Sequence, residues 1–256
     1  MTLWALKLEY DGRGFVGWQR QVNGLSVQEV LEQAASRLCN GVVPASVIAG
    51  RTDAGVHAAA QVARIDLPDG LTARAVREAL NFHMKPHPIV VLAVAPPPNA
   101  DWNPRFSAIG RDYRYLILNR AARPALEAGL VWHVKQVLDA DAMHRAAQSL
   151  LGRHDFTSFR AAACQAPSPL RTLDRLDVQR VGNRVIIDAS ARSFLHHQVR
   201  NMVGTLKLVG EGRWPETRVA AALAACDRSA AGPTAPPDGL TLMEVRYPRD
   251  PFGTQQ

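Results

Sequence analysis

Residues Trp4, Leu6, Leu8 and Tyr10 alternate with Ala5, Lys7 and Glu9, the two-residue period of a strand with one face against a core. Ser26-Val27-Gln28-Glu29 has the form of a capping box. The apolar residues that follow, Val27, Val30, Leu31, Ala34, Ala35 and Leu38, fall on one face of a helix. Alternation returns at Ala63, Ile65 and Leu67, and Thr72 caps a second helix carrying Val76, Ala79 and Leu80. The unbroken apolar run 89–94 predicts a central strand, buried on both faces. Pro96-Pro97-Pro98-Asn99 then reads as a stiff connector that ends this half.

The same order recurs downstream. Tyr113, Tyr115 and Ile117 mark a strand, and Asp139 caps a helix with Met143, Ala146, Ala147, Leu150 and Leu151 on its apolar face, stopped by Gly152. The patterns 176–180 and 184–189 flank Gly182-Asn183 and predict a hairpin. A long helix with Leu195, Val199, Met202, Val203 and Leu206 follows, then a short one opened by Pro215 and running to Cys226, then a closing strand over 240–247. Segments 121–134 and 232–238 read as loops. Both halves therefore run strand, helix, strands, helix, strand, a weak repeat that predicts two α+β units with helices on one sheet face.

Composition narrows the class. The 256 residues suffice for one large domain or two moderate ones, and 47% hydrophobic with 21% charged residues describes a folded protein rather than a disordered one. Thirty basic against 23 acidic residues leave a net charge of +7, which suits a polyanionic partner such as nucleic acid without requiring one. Cys39, Cys164 and Cys226 are far apart and form no C-x-x-C pair, so they read as buried, reduced thiols of a cytosolic protein. No run approaches the roughly 18 apolar residues of a membrane span, and the N-terminus opens directly into strand alternation, without the pattern of a signal peptide.

The chemistry concentrates in Gly50-Arg51-Thr52-Asp53-Ala54-Gly55-Val56-His57-Ala58. A carboxylate stands two residues after an arginine, between two glycines, in a short loop between apolar Val47-Ile48 and the alternating 62–67. Glycine lets backbone approach a ligand closely, and loops on a rigid scaffold are where catalytic groups tend to sit. A lone R-x-D is most often a solvated pair of charges. The whole string, however, closely resembles the signature of the tRNA pseudouridine synthase A family, in which its aspartate is catalytic.

Four further motifs read differently in the light of that resemblance. The segment 10–21, Y-D-G-R-G-F-V-G-W-Q-R-Q, is by itself a turn between strand and helix, although glycine-rich backbone with Arg13 and Arg20 can cradle phosphate. It resembles the family motif Y-D-G…F-x-G-W-Q-x-Q, which implies that it faces RNA. Strand tyrosines are ordinarily core residues, but the family's active-site tyrosine lies in R-D-Y-R-Y, and Tyr113 is its best match, an aromatic wall for an extruded base. In 194–204 the polar residues lie opposite the apolar face, with His196 and Arg200 as i, i+4 neighbours, a pattern that also fits a solvated helix face. Its match to F-L-x-H-Q-V-R-N-M-V-G implies that Arg200, His196 and His197 hold RNA or organise the pocket. The proline-rich 232–240 resembles the family's C-terminal motif, in which the residue matching Leu240 lines the uracil pocket. Segments 152–159 and 168–172 also resemble family segments, with Asp155 structural rather than catalytic.

The resemblance spans five separated motifs from Tyr10 to Tyr247, in the family's order. It implies the pseudouridine synthase fold: α+β, two similar ferredoxin-like α+β halves with antiparallel or mixed sheets around a central basic cleft. Residues 1–105 would carry the catalytic aspartate loop and 106–256 would complete the site. It implies a cytoplasmic homodimer that accepts the anticodon stem-loop of tRNA and converts uridines 38, 39 and 40 to pseudouridine. Asp53 would act at C1′, Arg51 would pair with Asp53 and help extrude the base, Tyr113 would pack against uracil, and Leu240 would form an apolar lid. Uridine and pseudouridine are isomers, so no cofactor is expected. No metal is expected either: neither His83 with His87 nor His154 with Asp155 has the further ligands such a site requires. The alternative from another class is a non-catalytic RNA-binding module of ferredoxin-like halves, which would explain charge and aromatics but not an aspartate in this setting.

Overall fold

The alternation at the N-terminus forms β1 (Thr2–Tyr10), whose Leu6, Leu8 and Tyr10 are buried while Glu9 faces solvent. Ser26 Oγ then accepts the Glu29 N–H at 3.1 Å and starts α1 (Val27–Ser36). β2 (Ser46–Ile48) and β3 (His57–Leu67) follow. Thr72 accepts from the Ala75 N–H to cap α2 (Ala73–His83), and β4 (Ile89–Ala95) ends the series. The sheet order is β4-β1-β3-β2, with every pair antiparallel. That is the β-α-β-β-α-β, 4-1-3-2 arrangement of a ferredoxin-like unit. The structure is a computed structural model, in which residues 1–253 are described.

The second series repeats the plan with additions. β5 (Gly110–Asn119) carries the short parallel β6 (Trp132–Val134), and Asp139 caps α3 (Ala140–Gln148). β7 (Gly152–Asp155), β8 (Leu170–Val181) and β9 (Arg184–Ala191) complete an antiparallel order β5-β9-β8-β7. β5, β9 and β8 thus repeat the 1-3-2 order of β1, β3 and β2. α4 (Gln198–Gly210), α5 (Thr217–Ala224) and β10 (Leu240–Arg246) follow. By contact density the chain forms two units, Met1–Ile109 with the segment from Leu242 onward, and Gly110–Thr241. The connector after β4 therefore does not end the first unit: buried Trp102 stacks at 5.4 Å on Tyr247, and its carbonyl accepts from Arg64 at 2.9 Å.

Several expectations are corrected. The run 89–94 is not a central strand. β4 lies at the end of its sheet, bonded to β1 alone among the described residues, with Val90 and Leu92 about 40% exposed (42% and 40%) on its open face. Apolar β-branched residues raise strand propensity whether or not both faces are covered, so the run did not report burial. The long helix starts at Gln198, not before Leu195, because His197 takes a left-handed φ of +62°. Segment 121–134 ends in β6, and β7 begins at Gly152 with φ +94°. Cys39 is buried, but Cys164 is half-buried and Cys226 is exposed at φ +47°. No helix among the described residues is long and apolar enough to cross a membrane.

Candidate active site

In the first unit, Gly50–Val56 join β2 to β3, and Asp53 stands half-buried near the middle. The Ala49 N–H bonds the Val62 carbonyl at 2.9 Å, so the β2–β3 ladder runs to the loop's edge. The Val56 N–H returns to the Asp53 carbonyl at 3.1 Å, closing a turn whose third residue, Gly55, has φ +77°. Positive φ at that position is what a type II turn demands of glycine. Beneath the loop, the Thr52 and Tyr10 hydroxyls lie 2.8 Å apart, and Gln61 Nε2 donates to the Gly50 carbonyl at 2.7 Å and to the Tyr10 oxygen at 3.4 Å. All three side chains are buried. Burial pushes the Tyr10 phenol up to about 12 against the opposing hydrogen bonds from Thr52 and Gln61, so it stays protonated.

The segment after β1 buttresses that loop from its side. Gly17 has φ +107°, and a Cβ there would lie 2.7 Å from the Thr52 carbonyl and 3.1 Å from the Asp53 carbonyl carbon. A Cβ on Gly12 would lie 2.2 Å from the Val56 carbonyl oxygen. Only glycine lets these two stretches of backbone touch. The Trp18 N–H donates to the Thr52 carbonyl at 3.1 Å, and His57 Nδ1 accepts from the Gly12 N–H at 3.1 Å. Burial raises the Asp11 carboxyl, but hydrogen bonds from the Arg13 side chain and backbone outweigh it and, with the charge of Arg13, hold the carboxyl below its ordinary value. Arg20 bonds Glu32 at 3.1 Å, and Glu32 also accepts from Gln28 and from the Ser46 N–H and hydroxyl.

In the second unit, Tyr113 projects from β5 opposite Ala189, with Phe194 edge-on at 5.3 Å. Next along β5, Arg114 grips Asp188 with two bonds of 2.8 and 3.2 Å. His196 and His197 form the turn before α4, with ring centroids 4.1 Å apart, and the His196 carbonyl accepts from the Ala161 N–H. α4 is buried on nearly every side, its polar residues Gln198, Asn201 and Thr205 included. Asn201 reaches the Phe159 carbonyl and the Thr234 hydroxyl, and Thr205 accepts from the Gly232 N–H. Arg200 Nε donates to the Ala235 carbonyl at 2.8 Å, while the Ala235 N–H donates to the Arg200 carbonyl. The Tyr115 hydroxyl holds the Pro236 carbonyl at 2.7 Å, and burial raises that phenol despite the charge of Arg200. Leu240, at the start of β10, is buried.

A sequence model of the family described as tRNA pseudouridine synthase matches residues 146–248. Over 252 residues the chain is 79% identical to a tRNA pseudouridine synthase A of Acidiphilium cryptum, covering 98% of this chain and 99% of that protein. The chain belongs to the tRNA pseudouridine synthase A family. A tRNA pseudouridine synthase A of Rhodospirillum centenum is 62% identical over 247 residues, covering 96% of this chain and all of that one (100%). Among solved structures, a Cbf5-Nop10-Gar1 complex aligns at a TM-score of 0.37 and 11% identity, over 93% of this chain and 48% of that one, about half its length. That likeness is too slight to carry an argument.

Within a tRNA pseudouridine synthase A, the expected residues sort into two groups by their surroundings. Asp53, Tyr113 and His197 are partly exposed, Arg13, Arg51 and His196 are exposed, and all can meet a substrate. Arg51 is exposed, while Thr52 beside it is buried. His196 is not one helical turn before Arg200, because it lies in the turn ahead of α4, and the polar side of α4 is no solvated face. Of the histidines set aside as metal ligands, His83 packs on Phe82, His87 on Phe15, and His154 bonds the Leu151 carbonyl. Asp155 accepts the Thr157 N–H at 2.8 Å, a structural role. Sequence reasoning missed Tyr10, Thr52, Gln61 and Tyr115 as scaffold of the site. The available signal was Gln61, one polar side chain inside the alanine- and valine-rich 58–63.

Proposed function

We propose that this protein converts uridine to pseudouridine in tRNA, at positions 38, 39 and 40 of the anticodon stem-loop, as a cytoplasmic homodimer that needs no cofactor. The observation that carries the reading is Asp53: a partly exposed carboxylate on a loop whose backbone is fixed from two sides. In the reaction the N1–C1′ bond breaks, the base rotates, C5 bonds to C1′, the C5 proton leaves and N1 takes one up. Atoms and electrons balance within the nucleotide. Asp53 acts at the sugar, where an ionised carboxylate serves as nucleophile, as base or as counter-charge to a cationic C1′. Fixing it before the substrate arrives removes reorganisation from the barrier. Tyr113, braced by Phe194, stacks on the uracil, and Leu240 supplies apolar surface to it. Arg51, exposed, helps to extrude the base and fills its place. Arg13, Arg200, His196 and His197 meet phosphates, joined by the donors of Arg20 that Glu32 does not take.

Asp53→Asn tests the assignment. The amide keeps size and hydrogen bonding, so melting temperature and tRNA affinity should stay at wild-type values while the single-turnover rate falls by several orders of magnitude. A folded variant within about tenfold of the wild-type rate, ~1.4 kcal/mol of barrier, overturns the catalytic role of Asp53. Tritium release from tRNA labelled at uridine C5 tests the activity itself, since a non-catalytic RNA-binding module releases none. Mapping pseudouridine in the product tests the three positions.

A further inference from the structure

We infer that Tyr10 is a positioning residue of the uridine isomerisation, and that its hydroxyl, through Thr52, sets where the Asp53 carboxylate stands. The inference rests on the function proposed above.

The Gln61 amide is oriented by its backbone partners. Gln61 Oε1 accepts the Val62 N–H at 3.1 Å, so the other end of that amide, the NH2, faces the loop. It donates to the Gly50 carbonyl and to the Tyr10 oxygen. The Tyr10 oxygen, which accepts from Gln61, also shares a hydrogen bond with Thr52 Oγ1, 2.8 Å away. The chain of bonds thus ends on residues 50 and 52, the two positions on either side of outward-turned Arg51. The Trp18 N–H fixes the Thr52 carbonyl, and Gly17 lies against the backbone from Thr52 to Ala54. Thr52 is therefore held at its side chain by Tyr10 and at its carbonyl by Trp18, and Asp53 is the next residue.

The strands are shaped for this. Between Leu8 and Tyr10 the β1–β3 register slips: Leu8 pairs with Gln61 but Tyr10 pairs with Ala58, which leaves one extra residue in β3. Bulges re-aim side chains and gather beside active sites. Tyr10 is 3% exposed and Gln61 0%, so neither touches a substrate and both act through Thr52. In such a buried network each hydroxyl has one partner geometry, and losing one frees the others.

The test compares Tyr10→Phe, Thr52→Val, Thr52→Ser and the double variant Tyr10→Phe/Thr52→Val in single-turnover pseudouridine formation, tRNA affinity and backbone amide exchange. Misplacing a reacting group by about 1 Å can cost ~100-fold. Tyr10→Phe and Thr52→Val should each slow the chemical step about 10- to 100-fold with tRNA affinity unchanged, and Thr52→Ser should retain the rate. The double variant should be no slower than the slower single one, because the two hydroxyls act as one unit. Amides of Gly55 and Val56 should exchange faster in Tyr10→Phe. Wild-type turnover in Tyr10→Phe, a rate loss matched by a loss of affinity, or additive losses in the double variant would each overturn the inference. If the unaltered protein forms no pseudouridine, the proposed function fails by itself. Amide exchange then decides the positioning: faster exchange at Gly55 and Val56 supports it, and unchanged exchange overturns it.

Discussion

The Asp53 loop of the first unit and the proline-rich loop 232–239 of the second are both held by missing side chains, but the missing atoms differ in kind. Gly17 lies in a loop at φ +107°, so a side chain there meets both the Thr52 carbonyl and an unfavourable backbone angle. Gly204 lies inside α4 with ordinary helical backbone, yet a Cβ would come within 1.8 Å of the Pro233 carbonyl oxygen. At Gly17 conformation and sterics argue for glycine together. At Gly204 helix propensity argues for alanine and sterics alone argue against it. The polar groups differ as well: two buried side chains on two strands, Tyr10 and Gln61, support the Asp53 loop, whereas one helix, through Arg200, Asn201 and Thr205, holds loop 232–239.

Gly204→Ala should show the largest loss of stability. The helix gains up to ~1 kcal/mol from the substitution. The clash with backbone must move a whole loop, and overpacking of this kind costs about 1–3 kcal/mol or more. Urea unfolding should therefore give a lower midpoint than wild type, and an equal or higher one would mean that propensity outweighs contact at this site. Gly17→Ala should lose about 1–3 kcal/mol through strain at its backbone angle. Its turnover should fall further than its stability does, because the strain is relieved next to Asp53, and a parallel loss of both would make Gly17 a folding residue only. Tyr115→Phe should have the smallest effect, about 1 kcal/mol for the bond to the Pro236 carbonyl. A melting curve on the same preparation checks it.

The elements with a strong period were legible in the sequence. Ser26, Thr72 and Asp139 all cap the helices they were expected to start, and Gly182-Asn183 turns the β8–β9 hairpin with Val181 opposite Arg184. The motifs that carry the family resemblance were legible as well. What could not be read was which side of a residue counts. The segment 10–21 reads as glycines and arginines facing a ligand, but its Tyr10, Gly12, Phe15, Gly17 and Trp18 turn inward to shape the Asp53 loop, while Arg13 and Arg20 are exposed. In α4 the amides and hydroxyls opposite the apolar face look solvated by period. They are buried because a loop some 30 residues away folds over them, a contact that no local pattern encodes. The start of α4 was misplaced for a similar reason: a histidine at positive φ leaves no mark in hydropathy.

The return of the segment after Thr241 to the first unit bears on how the protein is made. The Ile109 N–H bonds the Arg246 carbonyl, the Tyr247 hydroxyl bonds the Pro104 carbonyl, and the Tyr247 ring covers buried Trp102. On a ribosome the residues that meet Trp102 and Pro104 emerge only after the whole of Gly110–Thr241. The first unit, which carries Asp53, therefore leaves synthesis unfinished and with its Trp102 side uncovered, whereas the second already has all its residues. Domains generally fold as units in the order they emerge. Here the order is inverted: of the two units, the one begun first is completed second, and a nascent chain has no finished Asp53 unit until the strand after Thr241 is free.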